Sequence, residues 1–299
     1  MHISFIKEGN MSTKKTTPAK KSSKTTSKKS GAKNNTATVS TNVTEIETKA
    51  VKVSKKRVSL DAKSLPISAF IAEFVGTFIL AAVALVASGG AIPMGFALVA
   101  IVLAIGAISG AHVNPLITVG AWVTRRISGV RAIGYILSQA LGAMLALVVL
   151  TSFTTAIPKI NTNQMTLLSQ QQPQLLEVSQ INSATPGVWF ILLAELIAAM
   201  IFSFIVASVS QRKNDFGAQA LTVGFGLFVA LTVAGGAAAF VSANVICNPA
   251  IALSLKAVTL QSKDVWPVLV YILVPVIGGG IGFFLQDVLQ KTSKTESAE

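Results

Sequence analysis

Charge is the scarcest ingredient of this chain. Asp, Glu, Lys and Arg together make up 12% of its 299 residues and hydrophobic residues 52%, against a charged fraction of roughly a quarter in soluble domains. That balance excludes an ordinary water-soluble domain and points to an integral membrane protein. There is one cysteine, Cys247, so no intrachain disulfide can form and the redox compartment is not legible. With two histidines, His2 and His112, and 12 acids, no cluster shows metal-ligand spacing. Neither a glycine-rich phosphate loop nor a nucleophile with a neighbouring base occurs. We therefore expect no enzyme activity, no catalytic residues, no metal and no cofactor.

The charge that is present is unevenly spread. Residues 1–65 hold 15 of the 25 Lys and Arg, among many Ser and Thr and few apolar residues, which is the composition of a disordered segment. No apolar run precedes residue 66, so this is not a secretory signal. Met11, followed by Ser-Thr-Lys-Lys, is an alternative start. We expect a basic cytoplasmic tail, which can also meet anionic head groups at about 1 kcal/mol per basic residue near the surface. Phe5 is its one aromatic residue, so no stacking partners alternate with its charges and nucleic acid is not expected as a ligand.

From Pro66 onward the chain offers six apolar stretches, about 66–88, 92–109, 130–156, 187–209, 217–240 and 265–289. Each approaches the ~20 residues that cross a bilayer. With the Lys-rich tail inside, Arg125, Arg126, Arg131, Arg212, Lys213, Lys291 and Lys294 fall on the cytoplasmic side and Lys159, Lys256 and Lys263 on the other. The asymmetry fits six spans with both ends in the cytoplasm. The connection 157–186, with Gln170, Gln171, Gln172 and Gln174, is polar and falls outside. Residues 290–299 read as a C-terminal tail.

Two segments that ought to be loops are apolar instead. Ser109 to Trp122 reads SGAHVNPLITVGAW and Ser242 to Leu253 reads SANVICNPAIAL. In each, Asn is a favoured N-cap and Pro suits the first helical position, so Asn114-Pro115 and Asn248-Pro249 read as helix starts. The apolar run after Asn114 covers on the order of 15 Å, about half a hydrocarbon core. These are half-helices.

The halves of the chain also repeat one another. Ala72-Glu73-Phe74 answers Ala194-Glu195-Leu196, Tyr135-Ile136-Leu137 answers Tyr271-Ile272-Leu273, and Gly142 and Gly278 follow those tyrosines at equal distance. Three spans per copy is an odd number, so repeat one (66–156) and repeat two (187–289) insert with opposite orientation. The half-helices then meet at the midplane. The expected fold is all-α, with six transmembrane helices plus two half-helices in an inverted repeat.

SGAHVNPLIT, NPA at 248–250 and AEFVGTF in the first span resemble the major intrinsic protein family of aquaporins and glycerol facilitators, over about 66–289. The resemblance implies a pore through each subunit, a homotetramer in the plasma membrane, and water or a small neutral solute such as glycerol as cargo. The boxes would be Asn114-Pro115-Leu116 and Asn248-Pro249-Ala250. A capping Asn spends its oxygen on backbone N–H groups, leaving its NH₂ to face the lumen, so Asn114 and Asn248 become paired pore donors. The half-helix dipoles add a positive zone that disfavours cations. A water held by both amides has its hydrogens turned outward, which interrupts proton hopping. Glu73 and Glu195, acids inside spans, are a functional flag by default; the resemblance makes them structural braces of the half-helix loops rather than proton carriers. His112 has an unperturbed pKa near 6.5 suited to pH sensing, whereas the resemblance again implies a brace.

Two residues depart from the family pattern. Leu116 replaces Ala in the first box and adds bulk behind the Asn. Ile251 stands where the resemblance leads one to expect the arginine of the outer filter. Carried over by spacing, Met94 is the second-span filter position and Val245 the loop position. The fifth-span position is Gly236 counted back from Asn248, or Val233 aligned through Gly226. Either way the ring is aliphatic, and stripping water from a polar solute without replacement bonds costs about 1–3 kcal/mol, so altered selectivity is expected. A secondary transporter built on inverted repeats and a non-conducting structural protein of the same fold are the competing readings.

Overall fold

The structure is a computed structural model that describes residues 65–156, 174–178, 181–209, 215–259 and 264–296. The expected basic tail, the alternative start at Met11, most of the 157–186 connection, and Lys159, Arg212, Lys213 and Lys263 lie outside these residues.

Helix α1 spans Ile67–Val86, α2 Ala91–Ser109, α3 Pro115–Val123, α4 Gly129–Thr155, α5 Val188–Val209, α6 Phe216–Ala239 and α7 Pro249–Ser254. The last, α8, opens as Trp266–Val268, passes a π-helical turn at Leu269–Leu273 and continues as Val274–Glu296. Among the described residues six helices are long and apolar enough to cross a membrane, and α3 and α7, with nine and six residues, are not. The observed bounds follow the six apolar stretches except at the end of the chain. There α8 continues to Glu296, so the segment expected as tail from residue 290 begins as helix. Its exposed polar residues cost little to keep helical, and Thr292 and Thr295 hydroxyls donate back to Val288 and Lys291 carbonyls.

Local chemistry explains where the helices start and turn. Ser128 caps α4 by accepting from the Arg131 N–H, and Asp215 caps α6 by accepting from the Ala218 N–H. Gly110 ends α2 with φ +91°, a conformation that suits a residue without Cβ. In α8, Pro275 has no N–H to give the Tyr271 carbonyl and its ring would crowd that carbonyl. The ladder just before it widens, the Val274 N–H bonding the Leu269 carbonyl five residues back, which is how the π turn arises.

The packing shows the inverted repeat directly. Within repeat one α1 lies along α4, and within repeat two α5 lies along α8; α3 packs on α8 and α7 on α4, each half-helix thus clasped by the third span of the other repeat, while α2 meets α6 between them. Gly142 and Gly278 make the two equivalent crossings. A methyl at Gly142 would collide with the Phe74 carbonyl, and one at Gly278 would come within 2.9 Å of the Leu196 carbonyl and 2.8 Å of the Ala199 methyl. Small residues let helices approach where lipid offers no hydrophobic drive for association.

Candidate functional site

The half-helices bring residues 133 and more positions apart into one hydrogen-bonded unit. Asn114 Oδ1 accepts from the Leu116 N–H at 3.0 Å, and Asn248 Oδ1 accepts from the Ala250 and Ile251 N–H groups at 3.0 and 3.4 Å. Across the interface, Asn114 Nδ2 donates to the Cys247 carbonyl at 2.8 Å and Asn248 Nδ2 to the Val113 carbonyl at 3.0 Å. An amide NH₂ has two N–H donors. One per Asn is spent on the opposite loop, which leaves one N–H of each rather than the whole NH₂ the sequence suggested. The accepting carbonyls are aimed by strained backbone: Val113 has φ +40° and Cys247 φ +52°. For β-branched Val that is a true outlier, and such strain, about 1–3 kcal/mol each, persists only where surroundings over-determine it.

The buried carboxylates supply that over-determination. Glu73 Oε1 accepts from Ser109 Oγ at 2.7 Å and the His112 N–H at 2.9 Å, while Oε2 accepts from the Val113 N–H at 2.7 Å and Gln139 Nε2 at 2.8 Å. Glu195 accepts from the Ile246 N–H at 2.6 Å and the Cys247 N–H at 3.0 Å. Each acid therefore grips the N–H of the strained residue before its box. The His112 ring stands 5.2 Å edge-on to Tyr135 and its Nδ1 is 3.2 Å from Thr118 Oγ1. Gln139, which also donates to Thr118 Oγ1 at 3.0 Å, was missed by sequence reasoning; a lone amide midway along an apolar span was the available signal.

On the arginine-bearing side of the boxes lies a cavity of about 490 Å³, lined by Val102, Ser109, His112, Arg126, Arg131 and Phe283 among others. Arg126 Nη2 pairs with Asp287 Oδ1 at 2.6 Å, Nη1 donates to the Ala207 carbonyl at 3.1 Å, and the guanidinium lies 4.8 Å from the Phe283 ring centre. Arg131 Nε donates to the Tyr135 hydroxyl at 2.7 Å, and that hydroxyl donates to the Ser109 carbonyl at 2.6 Å. His112 is thus both held by Glu73 through its backbone and part of the chamber wall.

On the other side the space contracts to about 30 Å³, lined by Met94, Val245 and Ile251 and also by Ser88 and Asn244. Leu231 of α6 joins them, together with Leu176 and Val178 from the connection after α4. Neither fifth-span candidate, Gly236 or Val233, lines this space. Gly236 has open space where a Cβ would stand and Val233 is 51% exposed, whereas Leu231 is 6% exposed. The buried face of α6 runs Ala220, Val223, Leu227, Leu231, Ala234 and Ala238, a 3.6-residue period that turns position 233 away. Leu116 does not narrow the path: it is fully buried, its carbonyl and Cβ lying against Gly279 of α8. Cys247 is a free thiol, wholly buried beside Asn248. Among the described residues there is no His, Cys, Asp and Glu grouping that could hold a metal ion.

Six spans in an inverted repeat, with two capped half-helices meeting between them, define a multi-pass membrane protein of the channel class. Residues 66–286 match the major intrinsic protein family, and the chain belongs to it. It is 30% identical over 233 residues to glycerol uptake facilitator protein-like 6 of Lactiplantibacillus plantarum, covering 74% of this chain and 97% of that one. Lens fiber major intrinsic protein of Ovis aries is 32% identical over 203 residues, 67% of this chain and 68% of the relative, and aquaporin-1 of Sus scrofa is 30% identical over 197 residues, 64% of each. The crystal structure of the aquaglyceroporin from Plasmodium falciparum superposes with a TM-score of 0.52 at 19% identity, over 74% of this chain and 94% of that one, a likeness of fold. Proteins of this family are channels, not enzymes, and this chain is a channel for water or small solutes.

Proposed function

We propose that the channel passes small uncharged solutes passively, with a selectivity altered by a constriction that has no arginine and is mostly apolar. The path runs from the polar chamber past the free N–H of Asn114 and of Asn248 to the ring of Met94, Leu231, Val245 and Ile251. The carrying observation is that ring: Met94, Leu231, Val245 and Ile251 make the apolar wall around about 30 Å³ that Ser88 and Asn244 also line, with Ile251 1% exposed. Apolar walls cannot replace the water a polar solute sheds, at about 1–3 kcal/mol per unreplaced bond, and Ser88 and Asn244 are the polar side chains of the lining, so the ranking of solutes follows their ease of dehydration. Glu73, Glu195 and His112 act as braces, because their hydrogen bonds go to the loops and not to the lumen.

The arginine-bearing chamber faces the cytoplasm and the constriction faces outward, with both termini inside, an orientation supported by the excess of Lys and Arg on one side. A homotetramer in the plasma membrane follows the resemblance to the family; native mass measurement in detergent checks the stoichiometry. Proteoliposomes under osmotic shock test the function. The expected result is flux above empty liposomes for at least one of water, glycerol, urea and ammonia. Flux of none of them, both in this protein and in variants that widen the constriction, or uptake against a gradient, overturns the reading.

A further inference from the structure

The constriction has two walls that the two boxes and their spans do not supply. Leu176 and Val178 close the same space as Met94, Leu231, Val245 and Ile251, and Val178 is 7% exposed. They arrive on residues 174–178, an extended segment with no helix or strand of its own. The segment is laid across the outer end of α1: the Leu176 N–H donates to the Leu85 carbonyl at 2.8 Å. Gly89 leaves the room for it, since a Cβ there would stand 3.2 Å from a Leu176 methyl. Glu177 points the other way and meets Lys256 at 3.9 Å, with side chains 81% and 56% exposed.

We infer that residues 174–178 form an outer strap, with Leu176 and Val178 as specificity-determining residues that complete the filter and close it when the strap is seated. The inference rests on the channel reading of the same site and locates its barrier. Three features carry it. The free space at the ring is about 30 Å³, room for little more than water, so the seated strap disfavours glycerol there. The closing contacts are apolar and come from a segment outside the helices, whose backbone bond from Leu176 to the Leu85 carbonyl breaks without disturbing any helix. The ion pair that pins the strap is long and solvent-exposed, and such pairs hold weakly. Conducting and closed states then differ by a local movement of this segment, while the half-helices and their braces stay fixed.

The test uses the full-length protein in proteoliposomes, with stopped-flow measurement of water and glycerol permeability. In one arm L176A/V178A shortens both closing side chains; water permeability is expected to rise at least about fivefold and glycerol permeability to rise more, because a wider ring favours the larger solute. In a second arm E177C/K256C is bridged with a reducible bis-methanethiosulfonate reagent, which pins the strap without enlarging anything. Bridging is expected to bring both permeabilities to the level of empty liposomes, and dithiothreitol to restore them. Folding is checked by gel filtration, and the bridged arm stands if the double alanine variant fails to fold. Wild-type flux that neither truncation nor bridging changes overturns the strap and leaves the channel reading intact. Absence of flux in the wild type, in L176A/V178A and in unbridged E177C/K256C overturns both, whereas flux appearing only on truncation establishes the strap as the barrier.

Discussion

Glu73 and Glu195 occupy equivalent places in the two repeats, yet removing them should not cost the same. At Glu73 four donors converge on one carboxylate: the His112 and Val113 N–H groups, Ser109 Oγ and Gln139 Nε2. At Glu195 two converge, the Ile246 and Cys247 N–H groups. A buried donor left without an acceptor costs about 1–3 kcal/mol. In Glu195→Ala two backbone N–H groups are stranded, about 2–6 kcal/mol by the same figure. In Glu73→Ala the Ser109 hydroxyl can rotate away, but two backbone N–H groups and one N–H of Gln139 are stranded, about 3–9 kcal/mol. The amide variants reduce this difference. A glutamine at 73 can turn its oxygen to Val113 and Gln139 and its NH₂ to Ser109 Oγ, which accepts; one N–H, that of His112, stays unpaired, about 1–3 kcal/mol. A glutamine at 195 also strands one N–H. The expected order of thermal stability, read from unfolding midpoints of the purified protein in detergent by fluorescence-detected gel filtration, is E73Q close to E195Q, then E195A, then E73A. An E195A variant less stable than E73A, or E73Q no better than E73A, would refute the donor count as the source of the bracing energy.

Other perturbations follow from the same contacts. Ile251→Arg places a guanidinium where about 30 Å³ is free, at an insertion cost of about 2.5–3.5 kcal/mol if it stays buried and unpaired; it is expected to displace Leu176 and raise the ratio of water to glycerol permeability, and an unchanged ratio in stopped-flow assays would contradict this. Gly142→Ala drives a methyl into the Phe74 carbonyl between α1 and α4, so it should destabilise by more than the about 1–3 kcal/mol of ordinary overpacking, visible as loss of the monodisperse gel-filtration peak. Asp287→Ala removes the carboxylate that Arg126 holds at 2.6 Å, with both side chains largely buried. A charge-assisted bond of that kind contributes about 1.5–3 kcal/mol, and the unfolding midpoint should fall while solute ranking stays the same.

The helical skeleton was legible because membrane physics leaves few options. Runs near ~20 apolar residues must be helices in lipid, and Asn-Pro before a short apolar run carries both cap and start. The Glu73 and Glu195 repeat and the Gly142 and Gly278 crossings were visible as equal spacings, and the structure brings each glutamate against the loop of its own repeat. The fifth-span filter residue was not readable, because the loop between α6 and the second box has no fixed length: counting back from Asn248 and forward from Gly226 gave Gly236 and Val233. The phase of the buried face turns Leu231, rather than either of these, inward. Leu176 and Val178 were hidden for a different reason. Nothing in a polar, glutamine-rich connection marks two aliphatic residues as filter walls until the chain is folded back onto α1.

The outcome is a channel whose skeleton is two-fold but whose lumen is not. The symmetric parts, the capped half-helices, the strained residues before each Asn and the gripping carboxylates, fix the midplane. On the proposed reading, permeation is decided away from that plane, by what each side adds. One side adds a chamber of about 490 Å³ walled by His112, Arg126 and Arg131, where a solute keeps most of its hydration. The other adds a mostly apolar lining around about 30 Å³, with Ser88 and Asn244 as its polar side chains, where a solute would shed more of its hydration. Since free energy along a series path is governed by its highest point, mutations in the chamber should move permeability little and mutations at Leu231, Ile251, Leu176 or Val178 should move it much. Comparing R131Q with L231A in one flux assay puts this to the test: a larger effect from Arg131 would locate the barrier on the chamber side.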